Sequence, residues 1–407
     1  MPWSRQPETA MGRRMKIGII WKNDFPWDVR VEKIARSLLA IGHDVYILSA
    51  NTQRRARYET LDGMGIRRLP ATPSRWLNAV ISIPFYLNPF WFLFASQVVR
   101  RERIDLIIVR DLPLILVGLW LKRSFRVPLI LDMAENYPAM YREALDIGGW
   151  RACVYLIAKN PKIMEFVERQ TLGSVDHILV VVEESAERLM RLGIPGGRLS
   201  VVSNTPRLED LDRPAILEHR PHSWLQLIYT GLVQEARGLE VVVRALLLLR
   251  ERGLDVRFRI VGGGNYLSRL VEMVREKGLQ DAVEFTGWVA HQEVASHVND
   301  ADVGVIPHPK NDHTDTTIPN KLFDYMACGR PVVVSSAAPL ERIVTQERCG
   351  LVFTAGSPEN LADVLARMSA DGAAREEMGR NGAKAVRRRF HWERDAGALR
   401  DAVARFA

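Results

Sequence analysis

Predicted β-strands alternate with predicted helices along almost the whole chain, and this order is compatible with few folds. Short runs rich in Val, Ile and Leu are followed by amphipathic stretches, first over residues 16–203 and again over residues 225–354. Strands that alternate with helices form parallel sheets covered by helices. A polar segment with three prolines, residues 204–223, separates the two series and is typical of a hinge. The sequence therefore predicts two α/β domains with parallel sheets.

The predicted elements divide the chain into domains. Strands are predicted at residues 16–21, 44–50, 105–110, 128–133, 177–182, 199–203, 225–230, 256–261, 283–286, 302–307, 331–335 and 351–354. The main predicted helices lie at residues 29–41, 184–192, 239–252, 266–277, 321–328 and 392–406. We expect a flexible leader at 1–14, an N-terminal domain at 15–204, a hinge at 205–222, a C-terminal domain at 223–388 and a closing segment at 389–407.

Composition limits the classes of partner. The 407-residue chain is 47% apolar, so it can bury two cores. Cys153, Cys328 and Cys349 match neither metal-ligand spacing nor a disulfide framework, which favours a reducing, cytoplasmic compartment and no bound metal. The N-terminus lacks the apolar core of a signal peptide. The net charge of +8 fits nucleic acid, an anionic membrane or an anionic substrate, but no nucleic-acid-binding motif is present, so we expect no nucleic-acid partner.

Residues 316–335 (TTIPNKLFDYMACGRPVVVS) carry the most specific site signal. A turn leads into a short helix with Lys321 and Asp324, and a β-branched strand follows. The start of the helix, with Thr316, Thr317 and Asn320, is predicted to offer unpaired N–H groups that suit a diphosphate. One turn further, Asp324 can accept hydrogen bonds from the vicinal hydroxyls of a ribose. A nucleotide-sugar would satisfy both features, and the alternative is an ordinary helix beside a strand, with Asp324 a solvated charge.

The same segment resembles the nucleotide-sugar signature of the family-four retaining glycosyltransferases, P-N-K-[LI]-F-[ED]-Y-[ML]-A-x-G-[RK]-P-V. The resemblance covers nearly the whole chain and implies the GT-B architecture, in which two Rossmann-like α/β domains face an inter-domain cleft and the closing helix crosses back to the N-terminal domain. One feature differs from the family. The paired glutamates, E-(x7)-E, fall here at Thr316 and Asp324, so the second acid is shortened and the first is missing, although Asp315 lies beside it.

Further segments of the second half resemble donor-binding segments of that family. One such stretch contains Gly231 and Arg237, and in relatives its basic residue contacts the donor phosphates. The planar guanidinium of Arg237 suits that role, and a capping or surface arginine is the alternative. Gly262 and Gly263 lie in a turn whose glycines are predicted to allow close approach of a ligand. Trp288 lies in a segment whose backbone faces the nucleobase in relatives, and its side chain is predicted to belong to the core.

Motifs of the first half concern the acceptor and the reacting centre. The pattern N-D-x-x-x-D-V-R-V-E-K after the first strand resembles the family's opening motif and lies where open α/β sheets bind ligands. Asp28 and Arg30 are therefore candidate acceptor-binding residues, with a helix cap and a surface charge as the alternatives. The family's D-x-H-E motif appears with Ala134 in place of the histidine. Glu135 is then the candidate group at the reacting centre, or else a helix-capping acid.

The stretch from Trp76 to Val99 contains no charged residue. Its length and apolarity suit a membrane-spanning helix, but Pro84 and Pro89 interrupt it. Its aromatic residues suit the membrane interface, and arginines flank it on both sides. We predict a pair of helices that docks on an anionic membrane surface, and packing as ordinary core is the alternative.

Together these signals predict a retaining glycosyltransferase. It would move a hexosyl or N-acetylhexosaminyl group from a nucleotide-sugar to a glycan or lipid-linked acceptor in envelope polysaccharide or glycoconjugate synthesis. Arg237 and Lys321 would stabilise the leaving diphosphate, Glu135 would lie at the reacting centre, and no cofactor or metal is expected. The resemblance implies front-side attack, in which the departing phosphate takes the acceptor's proton. Two alternatives remain, a nucleotide-sugar epimerase of the same fold and a non-catalytic nucleotide-sugar-binding protein at the membrane.

Overall fold

The structure is a computed structural model that describes residues 13–26, 28–82, 87–143, 160–211 and 222–407. The described chain forms two compact units. The first contains the residues up to 181 together with 185–202 and 396–407, and the second contains 182–184 and 203–395. Most of the predicted leader 1–14, part of the predicted hinge 205–222, and Cys153, Pro84, Phe85 and Tyr86 lie outside the described residues.

The first unit is built on an eight-stranded sheet in the order β3-β4-β2-β1-β5-β6-β7-β8. Its strands are β1 (Lys16–Asp24), β2 (Asp44–Ala50), β3 (Tyr58–Leu61), β4 (Met64–Arg68), β5 (Leu106–Arg110), β6 (Leu129–Met133), β7 (His177–Val180) and β8 (Leu199–Val201). Its helices are α1 (Val29–Ala40), α2 (Arg75–Ser82), α3 (Pro89–Glu102), α4 (Ile115–Phe125), α5 (Tyr137–Glu143), α6 (Pro161–Thr171) and α7 (Glu183–Arg191), the last of which begins in the second unit.

All pairs in this sheet are parallel except β3 with β4, a hairpin that the sequence analysis missed. Asp62 and Gly63 form its turn, and both have positive φ, 51° and 80°. An Asp-Gly pair between short strands is a strong hairpin signal. It was available in the sequence, but β3 is largely exposed and therefore lacks an apolar pattern.

The second unit contains a six-stranded parallel sheet in the order β11-β10-β9-β12-β13-β14. Its strands are β9 (Leu225–Thr230), β10 (Val256–Val261), β11 (Val283–Gly287), β12 (Val303–Ile306), β13 (Val332–Ser335) and β14 (Gly350–Phe353). Its helices are α8 (Leu208–Leu211), α9 (Leu239–Glu251), α10 (Leu267–Glu276), α11 (His291–Asn299), α12 (Lys321–Ala327), α13 (Ala338–Glu347), α14 (Pro358–Ala370), α15 (Gly372–Arg388) and α16 (Trp392–Ala404), the last of which belongs to the first unit from Ala396 onward.

The prediction of two Rossmann-like α/β domains is confirmed, and the predicted strands differ from the observed ones only at their ends. The strands are nearly continuous Val, Ile and Leu runs because helices cover both faces of a parallel sheet. Helix α16 ends within the first unit, where the Arg405 Nη1 donates to the Gly197 carbonyl over 2.7 Å.

Segment 76–99 forms the predicted helix pair, α2 and α3, and the two faces of α3 differ. Trp91 and Phe94 point into the core of the first unit, with exposed fractions of 0% and 3%, whereas Leu93 is 71% exposed. The core alternative therefore holds for one face of α3 only. Among the helices that the structure describes, none combines the length and apolarity needed to span a bilayer.

Candidate functional site

Both sheets have a point at which the strand order reverses direction. In the second unit it lies between β9 and β12, which are hydrogen-bonded neighbours although three helices and two strands separate them in sequence. Open α/β sheets bind ligands at the carboxyl ends of the strands beside such a point. Gly231 follows β9 there, and His308 follows β12 one residue after Pro307. These two strand ends therefore mark the edge at which a ligand is expected.

Two cations lie at this edge without an anionic partner in hydrogen-bonding distance. The Lys321 ammonium lies 3.4 Å from the centroid of the Tyr229 ring and close to Gly231, where a Cβ would come within 3.7 Å of it. Arg237 ends the short 3-10 turn Glu235–Arg237 before α9. The side chains of Arg237 and Lys321 make no hydrogen bond or salt bridge with any residue that the structure describes. An anion placed here would find two available positive groups.

Electrostatics at the site also favour an anion. Burial lowers the pKa of Lys321 well below its ordinary value, and the positive charge of Arg237 lowers it further, while Asp324 acts in the opposite direction. Burial raises the pKa of the Tyr229 hydroxyl to about 12, which keeps it neutral. Charge repulsion between Arg237 and Lys321 is therefore a cost that a bound diphosphate would relieve.

Helix α12 is fixed in place by its tyrosine. The Tyr325 hydroxyl accepts a hydrogen bond from the Thr230 backbone N–H over 2.9 Å, at the end of β9. Its ring packs against Gly304 of β12, where any Cβ would collide with it. Both strands at the reversal point thus hold the helix that carries Lys321 and Asp324.

The prediction that the start of α12 offers unpaired N–H groups is wrong for three of these groups. The backbone N–H groups of Leu322, Phe323 and Asp324 donate to the carbonyls of Pro319 and Asn320. The helix has seven residues, and Asn320 makes no side-chain cap. These three N–H groups are therefore not available to an anion, whereas the side chains of Arg237 and Lys321 are.

The threonines before α12 do not replace the missing first acid of the family's signature. The hydroxyls of Thr316 and Thr317 both donate to the His313 carbonyl, over 3.2 and 3.0 Å. Asp315 does not replace it either, because its carboxylate accepts from the Ala338 N–H over 2.7 Å and caps α13. Asp324 is exposed on α12 and acts electrostatically on Lys321, so its predicted contact with a ribose stays a prediction.

The glycine-rich turn after β10 serves protein packing. At Gly262 and Gly264 a Cβ would collide with the carbonyls of Gly231 and Val233, and at Gly263 it would lie 2.8 Å from the Trp288 indole nitrogen. The prediction that these glycines leave space for a ligand is therefore wrong on the side of each residue where a Cβ would stand, because protein atoms already fill that space. Trp288 was predicted to be core, but it is 69% exposed and covers Gly263 instead.

In the first unit, the structure does not support the prediction that Arg30 contacts the acceptor. The Arg30 side chain is 3% exposed, and its Nε donates to the Asp132 Oδ2 over 2.9 Å. Burial acts to raise the pKa of Asp132, but the charges of Arg30 and Arg110 outweigh it and the pKa is lowered. Arg30 therefore holds Asp132 at the end of β6. Asp28 caps α1, accepting from the Val31 N–H over 2.8 Å, which was the alternative interpretation.

A buried polar cluster that was not predicted from the sequence lies at the reversal point between β1 and β5. Asp111 pairs with Arg110 and accepts from the Tyr137 hydroxyl over 2.9 Å, and Lys22 donates to the same hydroxyl. The backbone φ of Asp111, 69°, is unusual for a non-glycine residue, and such strain is concentrated at functional sites. Glu135, predicted at the reacting centre, is half-buried and contributes to raising the pKa of Asp111, which burial raises first. The sequence does contain an indication of this cluster, the charged pair Arg110-Asp111 at the end of the apolar strand β5.

His308 was also not predicted from the sequence, and it is the second residue after the end of β12. Its side chain is 4% exposed, and its Nε2 has no hydrogen-bond partner in the described part of the protein. Burial lowers its pKa well below the ordinary value, and Lys321 and Arg237 lower it further. Only the strand order, which sequence does not reveal directly, brings this histidine beside the two cations.

Comparison with known proteins supports the resemblance to glycosyltransferases that the sequence motifs indicate. A family model described as glycosyl transferase 4-like domain matches residues 28–205, and one described as glycosyl transferases group 1 matches residues 225–371. The chain is 30% identical over 194 residues to the putative colanic acid biosynthesis glycosyltransferase WcaL of Escherichia coli strain K12. That match covers 47% of this chain and 46% of the relative, so the chain spans about half the length of the curated relative.

Solved structures show the same fold over nearly the whole chain. Sucrose-phosphate synthase from Thermosynechococcus elongatus has a TM-score of 0.76 at 20% identity, and the match covers 96% of this chain and 99% of that one. Anabaena HepE in complex with UDP-glucose has a TM-score of 0.66 at 14% identity, covering 96% and 100%. At these identities the similarity shows the fold alone, and it confirms the predicted GT-B class. With both family models between them covering most of the sequence, the chain belongs to the group 1 family of glycosyltransferases.

Proposed function

We propose that this protein transfers a sugar from a nucleotide-sugar to an acceptor. The observation that carries the proposal is the pair of cations without anionic partners, Arg237 and Lys321, at the strand reversal of the second unit with Asp324 one turn away. A diphosphate would satisfy both cations, and a ribose on the same molecule would reach the acid. Membership of a glycosyltransferase family supports the same ligand class.

The donor is proposed to bind along the carboxyl edge of the second sheet. Arg237 binds the diphosphate through two parallel hydrogen bonds, and Lys321 supplies a point charge beside it. Asp324 accepts from the ribose hydroxyls, and the exposed face of Trp288 stacks on the base. The structural neighbour HepE forms a crystalline complex with UDP-glucose, which supports a uridine or similar nucleotide here.

The proposed chemistry is retaining transfer. The bond between the anomeric carbon and the diphosphate oxygen breaks, the acceptor oxygen bonds to that carbon on the same face, and the acceptor proton passes to the departing phosphate. Negative charge grows on the diphosphate during this step, so the two cations stabilise the transition state more than the ground state. Glu135 and the Asp111 cluster of the first unit are proposed to orient the acceptor.

The acceptor is proposed to be a glycan or a lipid-linked glycan of a polysaccharide or glycoconjugate pathway, since the Escherichia coli relative carries a name of that kind. An apolar patch on the first unit suggests where such an acceptor is met. We define the patch by six exposed side chains on or between α2, α3 and α4: Trp76, Leu77, Leu87, Phe90, Leu93 and Trp120. Arg100 and Arg101 lie exposed on the last turn of α3.

Large contiguous apolar patches on a protein surface mark an interaction site. Trp120 packs edge-on against Phe92 and donates to Ser96, which joins α4 to α3. Apolar and aromatic residues beside arginines suit the headgroup region of an anionic bilayer. We therefore propose that the patch docks on such a membrane without spanning it.

Sugar transfer by two substituted proteins, Arg237→Lys and Asp324→Ala, tests the proposed donor site. Arg237→Lys keeps the charge but loses the planar fork, so turnover should fall markedly. Asp324→Ala should weaken nucleotide-sugar binding by about 1.5–3 kcal/mol, since a hydrogen bond to a charged group is lost. The assay measures nucleoside diphosphate released from UDP- and GDP-sugars in the presence of membrane-extracted acceptors.

Arg244→Lys provides the matched control, because Arg244 is an exposed arginine of α9 that pairs with Glu240. Parental rates for both Arg237→Lys and Asp324→Ala would contradict the proposed donor site. Each donor is also incubated without acceptor. Formation of an epimeric nucleotide-sugar in that incubation would show that the protein is an epimerase rather than a transferase.

A further inference from the structure

His308 is a buried polar group that the proposed donor contacts do not use. It follows β12 at the strand reversal, with 4% of its side chain exposed and its Nε2 without a hydrogen-bond partner in the described ranges. Buried polar atoms nearly always have a partner, and each exception calls for an explanation. A ligand that supplies an acceptor atom is one such explanation.

The surroundings of His308 show which kind of ligand would satisfy it. Gly238, next to Arg237, packs against the backbone of Pro307 and lies close to that of His308, since a Cβ there would come within 3.9 Å of the His308 carbonyl carbon. The charged groups that act on the imidazole are Lys321 from α12, Arg237 from the 3-10 turn, and His313 from the loop before α12. All three are basic, and Asp324 reaches this set only through its effect on Lys321.

We propose that His308 is a third phosphate-binding group of the donor site, which takes up a proton when a nucleoside diphosphate binds and donates from Nε2 to a phosphate oxygen. This inference rests on the proposed function, because it requires the diphosphate to lie between Arg237, Lys321 and His308. It goes beyond the proposed function because it couples donor binding to the uptake of a proton.

The sign of the linkage follows from the charges. Without a diphosphate, burial and the neighbouring cations lower the pKa of His308, so the imidazole is neutral at neutral pH. A phosphate beside Nε2 reverses the local potential and raises that pKa. The complex then binds more protons than the free protein, so nucleotide affinity rises as the pH falls between the two pKa values. After transfer the product diphosphate is held in the same way, and it leaves more readily at higher pH.

Proton uptake on binding UDP tests this inference. Calorimetric titrations at pH 7 in two buffers of different ionisation enthalpy give the number of protons taken up per bound nucleotide. His308→Gln keeps an N–H donor but cannot accept a proton. We expect it to bind UDP roughly ten- to a hundredfold more weakly and to take up fewer protons than the parent. Titration of the nucleotide itself is common to both proteins and cancels in the difference.

His222→Gln is the matched control, a histidine of the same unit that stacks on Trp224 away from the cations. It should behave as the parent does. Equal proton uptake by the parent and by His308→Gln, with UDP bound in both, would overturn the role of His308 and leave the proposed function intact. Failure of the parent to bind UDP, GDP or ADP would overturn the proposed function and this inference with it.

A second measurement covers the case in which His308→Gln does not fold. The chain has 9 histidines, and histidine-selective ¹³C NMR of the parent protein follows each imidazole as the pH changes. One imidazole should be neutral without UDP down to low pH and should titrate at a clearly higher pH with saturating UDP. Unchanged titration of every imidazole on adding UDP would contradict the proposal.

Discussion

At the scale of single residues, charges in the two units are satisfied in different ways. Arg30 and Asp132 form a buried pair in which the guanidinium and the carboxylate complete each other's hydrogen bonds. Arg237 and Lys321 have no such partner among the described residues. A satisfied buried pair holds a structure together, whereas partly buried cations without partners attract a ligand. This difference separates the structural Arg30 from Arg237, the proposed donor-binding arginine, although both lie in segments that resemble family motifs.

Replacing Arg30 tests its structural role. Arg30→Met leaves the Asp132 carboxylate buried without its main partner and should destabilise the protein by about 3–5 kcal/mol. Because the pKa of Asp132 is lowered in the folded protein, its stabilising share is present above the unfolded pKa and is lost as the pH falls through the folded pKa. Urea unfolding at pH 7 and in the acid range should therefore show a smaller pH dependence in the variant.

Arg36→Met on the same helix is the control, since Arg36 is 37% exposed and pairs at the surface with Glu32. That variant should lose at most about 1 kcal/mol. If Arg30→Met were as stable as Arg36→Met and instead bound the acceptor poorly, Arg30 would be an acceptor contact after all.

At the scale of elements, α12 is positioned by contacts that cross the strand reversal. Tyr325 reaches β9 through its hydroxyl and fills the space above Gly304 of β12 with its ring. The sequence signature around residues 316–335 could place Lys321 and Asp324 on one short helix, because their spacing is local. It could not place His308 or Asp111, because these enter the sites only through strand neighbours distant in sequence. It also could not show that nearby carbonyls occupy the N–H groups of Leu322, Phe323 and Asp324.

Gly304→Ala should disturb the proposed donor site through the packing of α12 against β12. The new methyl group would collide with the Tyr325 ring, so either the strand or α12 must shift, at a cost of about 1–3 kcal/mol. Thermal unfolding should show this loss, and UDP affinity should fall with it. Gly372→Ala at the start of α15, where the nearest atom is the Arg375 Nη2 at 3.6 Å, is the control and should change neither. Unaltered UDP affinity in Gly304→Ala would show that α12 does not depend on this packing.

The apolar patch gives the second prediction for an element. Leu93→Glu should abolish flotation with anionic vesicles and leave the melting temperature unchanged, because Leu93 is 71% exposed. Parental binding should weaken in high salt, since each arginine near the surface contributes about 1 kcal/mol. Trp91 is unsuitable for this test, because it is fully buried and its replacement would unfold the unit. Met190→Glu is the control, an exposed apolar residue of α7. No flotation of the parent protein would show that the patch does not bind membrane.

At the scale of the whole molecule, the strand alternation was sufficient to predict two α/β domains, because parallel strands require covering helices wherever they occur. Each unit has one strand reversal with charged residues at its carboxyl edge, as the general rule for such sheets requires. The two edges differ in whether their charged side chains are paired. Acids and bases are paired in the first unit, whereas basic side chains predominate at the edge of the second. The second unit is therefore the one suited to a diphosphate.

A thermal-shift panel of nucleoside diphosphates and nucleotide-sugars tests that assignment most directly. The protein should be stabilised by at least one nucleotide class, by about 2.7 kcal/mol at a concentration one hundred times the Kd. Arg237→Ala should lose this stabilisation while keeping the melting temperature of the free protein, because the Arg237 side chain makes no hydrogen bond or ion pair with a described residue. Arg244→Ala should retain it. No stabilisation of the parent by any nucleotide, or equal stabilisation of Arg237→Ala, would contradict the donor site.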